Sequence, residues 1–76
     1  MRKAKNIENW VKVSSTNIAG IGYEEETQTL YVQFSHGGTY SYSGVPSSVF
    51  EDFKMSQSKG TFFHTHIKNE YSYKKV

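Results

Sequence analysis

The sequence predicts an α+β domain, with a three-stranded antiparallel β-meander packed against one main helix and a short second helix. Residues 29–34 alternate apolar and polar side chains, as a half-buried strand does. Residues 39–43 follow a glycine-containing turn and carry a tyrosine at every second position. Val49, Phe50 and Phe53 form the compact apolar stripe of an amphipathic helix. Such a stripe is expected to cover one face of the sheet.

The first strand of the meander is predicted at residues 18–23, and a shorter strand is possible before it. Residues 18–23 are apolar enough for a strand, although Gly20 and Gly22 leave the face that carries Ile18 without side chains. A bulky side chain is therefore expected to pack over these glycines. Before them, residues 10–13 alternate only briefly and are consistent with a short edge strand.

The turn before the third strand decides which face Tyr40 and Tyr42 occupy. A two-residue loop at 37–38 would turn both rings away from the apolar face of the preceding strand. A three-residue loop at 36–38, with a left-handed glycine, would pair Tyr40 with Phe34 and keep both rings on the core face. The three-residue loop is favoured, because the alternative leaves only small polar residues facing the core.

The end of the third strand leads into the main helix, which Pro46 is suited to begin. The helix weakens near residues 57–60, and residues 61–67 are compatible with either helix or strand by propensity. Tyr71 and Tyr73 then repeat the spaced-tyrosine pattern near the end of the chain.

Composition limits both the architecture and the chemistry. A chain of 76 residues makes one domain, predicted here to span residues 10–76 behind a flexible basic tail of residues 1–9. Without cysteine, neither disulfides nor a thiolate zinc cluster can supplement the core, so six Tyr, five Phe and one Trp supply much of it. With no apolar leader and no membrane-spanning run, a cytoplasmic location is expected.

Several short motifs occur in one order from about Val13 to the end of the chain. They are Val13-Ser14-Ser15-Thr16-Asn17-Ile18, Ile21-Gly22-Tyr23, Thr29-Leu30 with Val32 and Phe34, Gly37-Gly38, Tyr40-Ser41-Tyr42, Gly44-Val45-Pro46, Ser58-Lys59-Gly60, Phe63, His66-Ile67 and Tyr71-Ser72-Tyr73. Together they resemble the KTSC domain. That family is named for the C-terminal extension of some lysyl-tRNA synthetases and also occurs as small stand-alone proteins of bacteria and phages.

The resemblance implies a three-stranded meander followed by helices, and it assigns residues 61–67 to a short helix. The family's attachment to a synthetase suggests RNA binding. This argument rests on the association of the two domains and not on the chemistry of particular residues. The family often carries arginines near its end, where this chain has Thr65 and Glu70. Two fewer positive charges weaken phosphate contacts at that end.

Spaced aromatics with basic neighbours are the candidate binding residues, because exposed rings can stack on bases while lysines contact phosphates. Tyr40 and Tyr42 have two readings, as a stacking platform or as a wall of the core. The small core favours the second reading. The predicted nucleic-acid-binding residues are Tyr40, Tyr42, Lys59, His66, Lys68, Tyr71, Tyr73, Lys74 and Lys75.

Catalytic and metal sites are not expected. His64 and His66 would lie about 200° apart on a helix and could not share one ion. No serine occurs in a nucleophile elbow, no cysteine is present, and the clustered carboxylates of residues 24–26 belong to a connection between strands. The sequence therefore predicts neither a catalytic residue, a bound metal nor a cofactor.

Two functions from different classes follow from these observations. The first is non-catalytic binding of RNA or another single-stranded nucleic acid through tyrosines and lysines, although a net charge of +2 alone is too small to imply it. The second is a small bacterial or phage protein that binds or inhibits a host or phage protein, for example in countering a defence system. The edges of the predicted sheet leave both a monomer and a homodimer open, and no membrane partner is expected.

Overall fold

One antiparallel sheet, with a helical layer on one face, forms the computed structural model of residues 10–13 and 15–76. The predicted tail, residues 1–9, lies outside the described residues. The strands are β1 (Val11–Lys12), β2 (Ile18–Glu24), β3 (Thr29–Phe34), β4 (Gly38–Tyr42) and β5 (Tyr73–Lys75). The helices are α1 (Ser47–Met55), α2 (Lys59–Phe62) and a π-helix (Phe63–Ile67) that continues α2.

The sheet has five strands in the order β1-β2-β3-β4-β5, so the α+β class is confirmed and the prediction of three strands is wrong. The additional strands are the two edges. The brief edge strand expected within residues 10–13 is present as β1, which is two residues long, whereas the three-residue β5 was not predicted. Strands this short carry too few residues for a periodic signal, and they form because an existing sheet edge offers them partners.

A β-bulge in β2 changes which residues face the core. Ile18 pairs with Phe34, but the next pair joins Gly20 to Gln33, so β2 contains one extra residue at this point. The extra residue places Ile18 and Ile21 on the core face and Gly20 on the opposite face. The expectation that Gly20 and Gly22 share the face of Ile18 is therefore wrong, because the bulge interrupts the alternation and both glycines lie on the outer face.

Trp10 is the bulky group over Gly20, as expected for a strand glycine. A Cβ atom built on Gly20 would lie 3.0 Å from Cζ2 of Trp10. Trp10 remains 39% exposed. The indole therefore covers the outer face of the sheet at β2, and the absence of a side chain at Gly20 is what permits this approach.

The register between β3 and β4 confirms the predicted face but not the predicted partners. Tyr40 pairs with Val32, and Tyr42 pairs with Leu30, whereas Phe34 pairs with Gly38. Both tyrosines share the face of the buried β3 residues, so the preference for a three-residue loop was sound. The loop is residues 35–37, one residue earlier than predicted, because Gly38 belongs to β4 and keeps a left-handed φ of 83°. Each β4 residue therefore pairs with a β3 residue two positions earlier in the sequence than predicted.

The core lies between the sheet and the helices. Pro46 precedes the first residue of α1, in agreement with the sequence prediction, and both Phe50 and Phe53 are buried. The Tyr23 ring stacks on Phe50 with 5.0 Å between centroids. The buried apolar side chains are Ile18, Ile21, Tyr23, Leu30, Val32, Tyr42, Val45, Phe50, Phe53, Phe63 and Ile67.

Residues 61–67 are helical, which confirms what the family resemblance implied. The side-chain oxygen of Ser58 accepts a hydrogen bond from the amide of Thr61 at the start of α2. The backbone then widens, and the amide of Lys68 donates to the carbonyl of Phe63 at 2.9 Å, the five-residue spacing of a π-helix. Over the described ranges, no helix has the length and apolar character needed to cross a membrane.

Replacing Tyr23 with phenylalanine is expected to destabilise the fold. The Tyr23 hydroxyl donates a buried hydrogen bond of 2.5 Å to the carbonyl of Val45, and Tyr23→Phe leaves that acceptor without this donor. The expected cost is about 1–3 kcal/mol in the free energy of unfolding, measured by urea denaturation. Tyr73→Phe, at an exposed ring, is the matched control and should change stability by less than about 0.5 kcal/mol. Equal effects of the two substitutions would contradict the assignment.

A methyl group at Gly20 is expected to displace Trp10. Gly20→Ala should cost on the order of 1 kcal/mol, the cost of modest overpacking, and less in a Trp10→Ala background. Gly60→Ala is the control, since a Cβ there meets nothing within 4 Å and alanine favours a helix. Urea denaturation of the parent and the three variants of this double-mutant cycle, together with Gly60→Ala, measures the coupling. Strict additivity at Gly20 and Trp10 would rule out the contact.

Candidate functional site

A concave surface of about 510 Å³ opens between the core face of β3–β5 and the π-helix. We call it the aromatic groove. Its lining residues are Asn17, Phe34, His36, Gly37, Tyr40, Tyr42, Phe63, His64, Lys68, Asn69 and Tyr73. Five of these are Phe or Tyr, so the groove is the part of the molecule where the aromatic core reaches the surface.

The rings of the groove pass from fully buried to exposed. Tyr42 is 4% exposed, and its ring lies 5.7 Å from that of Tyr73, which is 61% exposed. Tyr40 is half-buried and lies 5.9 Å from the Tyr73 ring. Tyr42 is therefore a wall of the core, while Tyr73 and part of Tyr40 offer aromatic surface to a ligand.

The sheet and the π-helix each bring residues to the groove for a local reason. Strand alternation places Tyr40 and Tyr42 on one face of β4, and β5 adds Tyr73 directly beside Tyr42. The π-helix joins Phe63 and Lys68 by a backbone hydrogen bond, and both of these residues line the groove. Single π-helical turns inside helices are frequent at functional sites.

Electrostatically, the groove is neutral to positive. Lys68, His36 and His64 line it, and within the described part of the chain its lining includes neither Asp nor Glu. Burial, followed by the electrostatic effect of Tyr73 and Tyr40, raises the pKa of Tyr42 to about 12. Tyr42 is thus a neutral phenol at physiological pH. Because no carboxylate lines the groove, an uncharged ring or an anion that enters it meets no negative charge.

Four of the nine predicted binding residues come together in the groove: Tyr40, Tyr42, Lys68 and Tyr73. Lys75 lies beside it, because it pairs with Tyr40 and its Cε atom is 3.2 Å from a Cβ built on Gly38.

The other four predicted residues lie elsewhere. Lys74 pairs with Ser41, and strand alternation directs it to the opposite face of the sheet. Tyr71 packs half-buried against the core. The His66 ring lies 4.5 Å from that of Phe62, and Lys59 Nζ donates to the carbonyl of Ser56 at 2.6 Å. Tyr71 and Tyr73, which share a spaced pattern in the sequence, therefore do not both line the groove, and Tyr73 lies beside Tyr40 and Tyr42.

Several groove residues were not predicted as site residues: Asn17, Phe34, His36, Phe63, His64 and Asn69. The sequence marks Phe34 only as an apolar strand residue and gives His36 and His64 no binding role. No local pattern marks the π-helix that brings Phe63 and His64 to the site. Among the described residues, no group of three His, Cys, Asp or Glu could hold a metal ion.

Fold and site together define a small α+β domain whose aromatic core opens into a groove along one side of its antiparallel sheet. Residues 14–71 match the family model of the KTSC domain, and the chain belongs to that family. The structural comparison agrees. A crystal structure of a KTSC domain protein from Yersinia pestis matches with a TM-score of 0.87 and 38% identity, over 90% of this chain and 96% of that one.

Sequence relatives include much longer proteins. A lysine–tRNA ligase of Nostoc punctiforme is 36% identical over 66 residues, which are 87% of this chain but 12% of the ligase. The chain thus spans about an eighth of that relative. A protein of Tsukamurella paurometabola is 38% identical over 56 residues, covering 74% of this chain and 84% of the relative. The domain is therefore similar both to a segment of a large enzyme and to a chain near its own size.

Alkaline pH is expected to destabilise the fold through Tyr42. Its pKa rises from 10 in the unfolded chain to about 12 in the folded protein, so between these values only the unfolded state ionises. The free energy of unfolding should be fully retained below pH 10 and fall as the pH rises towards 12. Tyr42→Phe should show a shallower fall in chemical denaturation series. Some fall will remain, because the pKa values of Tyr23 and Tyr31 are also raised by burial. An unchanged slope in Tyr42→Phe would contradict the assignment.

Proposed function

We propose that the domain is a non-catalytic module that binds single-stranded nucleic acid, RNA foremost, by stacking a base on Tyr73 and Tyr40 in the aromatic groove. The observation that carries this proposal is an exposed tyrosine beside a half-buried one, in a concave site with Lys68 on its wall. Bases of single strands stack on aromatic side chains of this kind. The expected site of action is the cytoplasm.

The size of the groove suits a ligand of small-molecule or nucleotide size and not a long strand. A volume of about 510 Å³ lies within the range of sites for small molecules. Stacking supplies roughly 1–3 kcal/mol per base, so one base alone gives weak affinity. The remainder must come from phosphate contacts, and Lys68 in the groove and Lys75 beside it are the candidates for them.

The similarity to a lysine–tRNA ligase supports RNA as the ligand class, since the name of that relative specifies tRNA. The exchange of arginines for Thr65 and Glu70 does not alter the groove itself, because neither residue lines it. The loss of those two charges therefore leaves the contacts within the groove unchanged.

A second candidate function is binding of a host or phage protein, as a small interaction or inhibitor protein. The observation that favours it is apolar exposure on several sides: Trp10, Met55, Tyr73 and Val76 are large exposed hydrophobic residues. Strands β1 and β5 are also the two edges of the sheet, and an edge can pair with a strand of a partner or of a second copy.

Binding of fluorescein-labelled octamers of uridylate and adenylate, measured by anisotropy at low and higher salt, tests the nucleic-acid proposal. Tyr73→Ala should weaken binding about 5- to 150-fold, the equivalent of 1–3 kcal/mol of stacking. Tyr73→Phe keeps the ring and is the matched control, so it should bind like the parent protein. Binding should also weaken as salt rises, because lysine–phosphate contacts release counterions.

Absence of binding at low salt, or an affinity indifferent to both salt and Tyr73→Ala, would overturn the nucleic-acid proposal. A pull-down from nuclease-treated lysate would then test the second function. Enrichment of one protein by the parent chain but not by Tyr73→Ala would support an interaction through the groove. Failure to enrich any protein would remove that candidate.

A further inference from the structure

A second cleft, of about 470 Å³, lies at the β1 side of the sheet, beside the connection between α1 and α2. We call it the lysine cleft, after Lys12, Lys54 and Lys59 on its lining. The hydroxyl-bearing residues Ser15, Thr16 and Ser58 also line it. Within the described ranges, its lining contains neither Asp nor Glu. Lys12 pairs with Gly20, so strand alternation directs its side chain to the outer face of the sheet. Lys54 and Lys59 are the two lysines left to bind an anion in the cleft.

Lys59 is held in position and still has donors to offer. Its Nζ atom donates one hydrogen bond, of 2.6 Å, to the carbonyl of Ser56. An ammonium group has three N–H donors, so two remain for a ligand. The fixed contact removes much of the side-chain entropy that a flexible lysine loses on binding.

Lys54 is committed only weakly to its neighbour. Its Nζ atom lies 3.2 Å from a carboxylate oxygen of Glu51, in a pair whose side chains are 35% and 55% exposed. Exposed pairs of this spacing contribute little to stability. The same Nζ atom lies 5.3 Å from the centroid of the Phe50 ring. An anion in the cleft can bind Lys54 in place of Glu51 while this contact with the ring is kept.

The lysine cleft and the aromatic groove adjoin each other across a single chain segment. Thr16 lines the cleft and Asn17, the next residue, lines the groove. The cleft lies at β1 and Tyr73 lies on β5, at the opposite edge of the sheet and about 19 Å away across four strand spacings. A ligand that reaches both sites must therefore be a strand of several nucleotides. The two sites also differ in chemistry, since one presents rings and the other presents ammonium and hydroxyl groups.

We propose that the lysine cleft is a phosphate site, and that it holds a backbone phosphate of the same strand whose base occupies the aromatic groove. The second part of this statement rests on the proposed function. Lysine binds phosphate as a point charge, and the hydroxyl groups of Ser15 and Thr16 supply additional donors for the phosphate oxygens. The Ser58 hydroxyl is already engaged, since it donates to Oγ1 of Thr61 at 3.0 Å. The segment at Thr16 and Asn17 is then the ridge over which the strand passes.

Salt dependence of octamer binding separates the two sites. Lys54→Gln and Lys59→Gln are made singly and together, and Lys74→Gln, on the opposite face of the sheet, is the matched single-charge control. The double variant should reduce the slope of log affinity against log salt by about 0.7, the value for one lost phosphate contact on a single strand. Lys74→Gln should leave the slope unchanged. Urea denaturation of each variant verifies that it remains folded.

Uridine, which has no phosphate, reports on the groove alone. Its effect on the NMR signals of Tyr73 should be the same in the parent and in the Lys54→Gln/Lys59→Gln variant. Octamer binding with equal slopes in the double variant and the parent would overturn the phosphate site and leave the proposed function intact.

If no octamer binds at all, the proposed function fails. A titration with inorganic phosphate, followed by NMR, then tests separately whether the lysine cleft binds phosphate. Saturable shifts of the Thr16 and Lys59 amides, lost in the double variant, would support phosphate recognition with the free ion as its source. Absence of such shifts, or shifts that persist in the double variant, would overturn the phosphate site as well.

Discussion

The packing of Phe63 against the sheet is the contact on which the rest of the structure depends. Its ring lies 5.3 Å from that of Phe34 and 5.6 Å from that of Tyr42, so one side chain of the π-helix joins two neighbouring strands. A chain of 76 residues without cysteine has few other means of fixing a helix on a sheet. Since Phe63 also lines the aromatic groove, the same contact closes the core and shapes the site.

Core and candidate site share residues because aromatic side chains serve both purposes. Tyr42 illustrates the buried extreme, where the surroundings raise the pKa of the phenol to about 12. Tyr73, its neighbour across the β4–β5 pair, remains largely exposed. Truncation of the buried Tyr42 side chain is therefore expected to lower the stability of the fold. Truncation of the exposed Tyr73 side chain tests ligand binding with little effect on stability.

The positions of the lysines say more about possible ligands than the net charge does. The net charge of +2 predicts no particular partner. The fold nevertheless places Lys54 and Lys59 in one cleft and Lys68 in the adjoining groove, while Lys74 is left on the far face of the sheet. Local concentration of like charge beside aromatic surface is the arrangement that single-stranded nucleic acid binding uses.

The sequence by itself determined the α+β class, the shared face of Tyr40 and Tyr42, and the KTSC family, because strand alternation and ordered motifs are local signals. It did not determine the five-stranded sheet, the bulge that moves Gly20 to the outer face, or the two-residue shift between β3 and β4. It also did not determine that the Tyr73 ring lies beside that of Tyr42. These features depend on strand pairing and on the position of the π-helix. Contacts between segments that are distant in the sequence determine them, so local patterns do not reveal them.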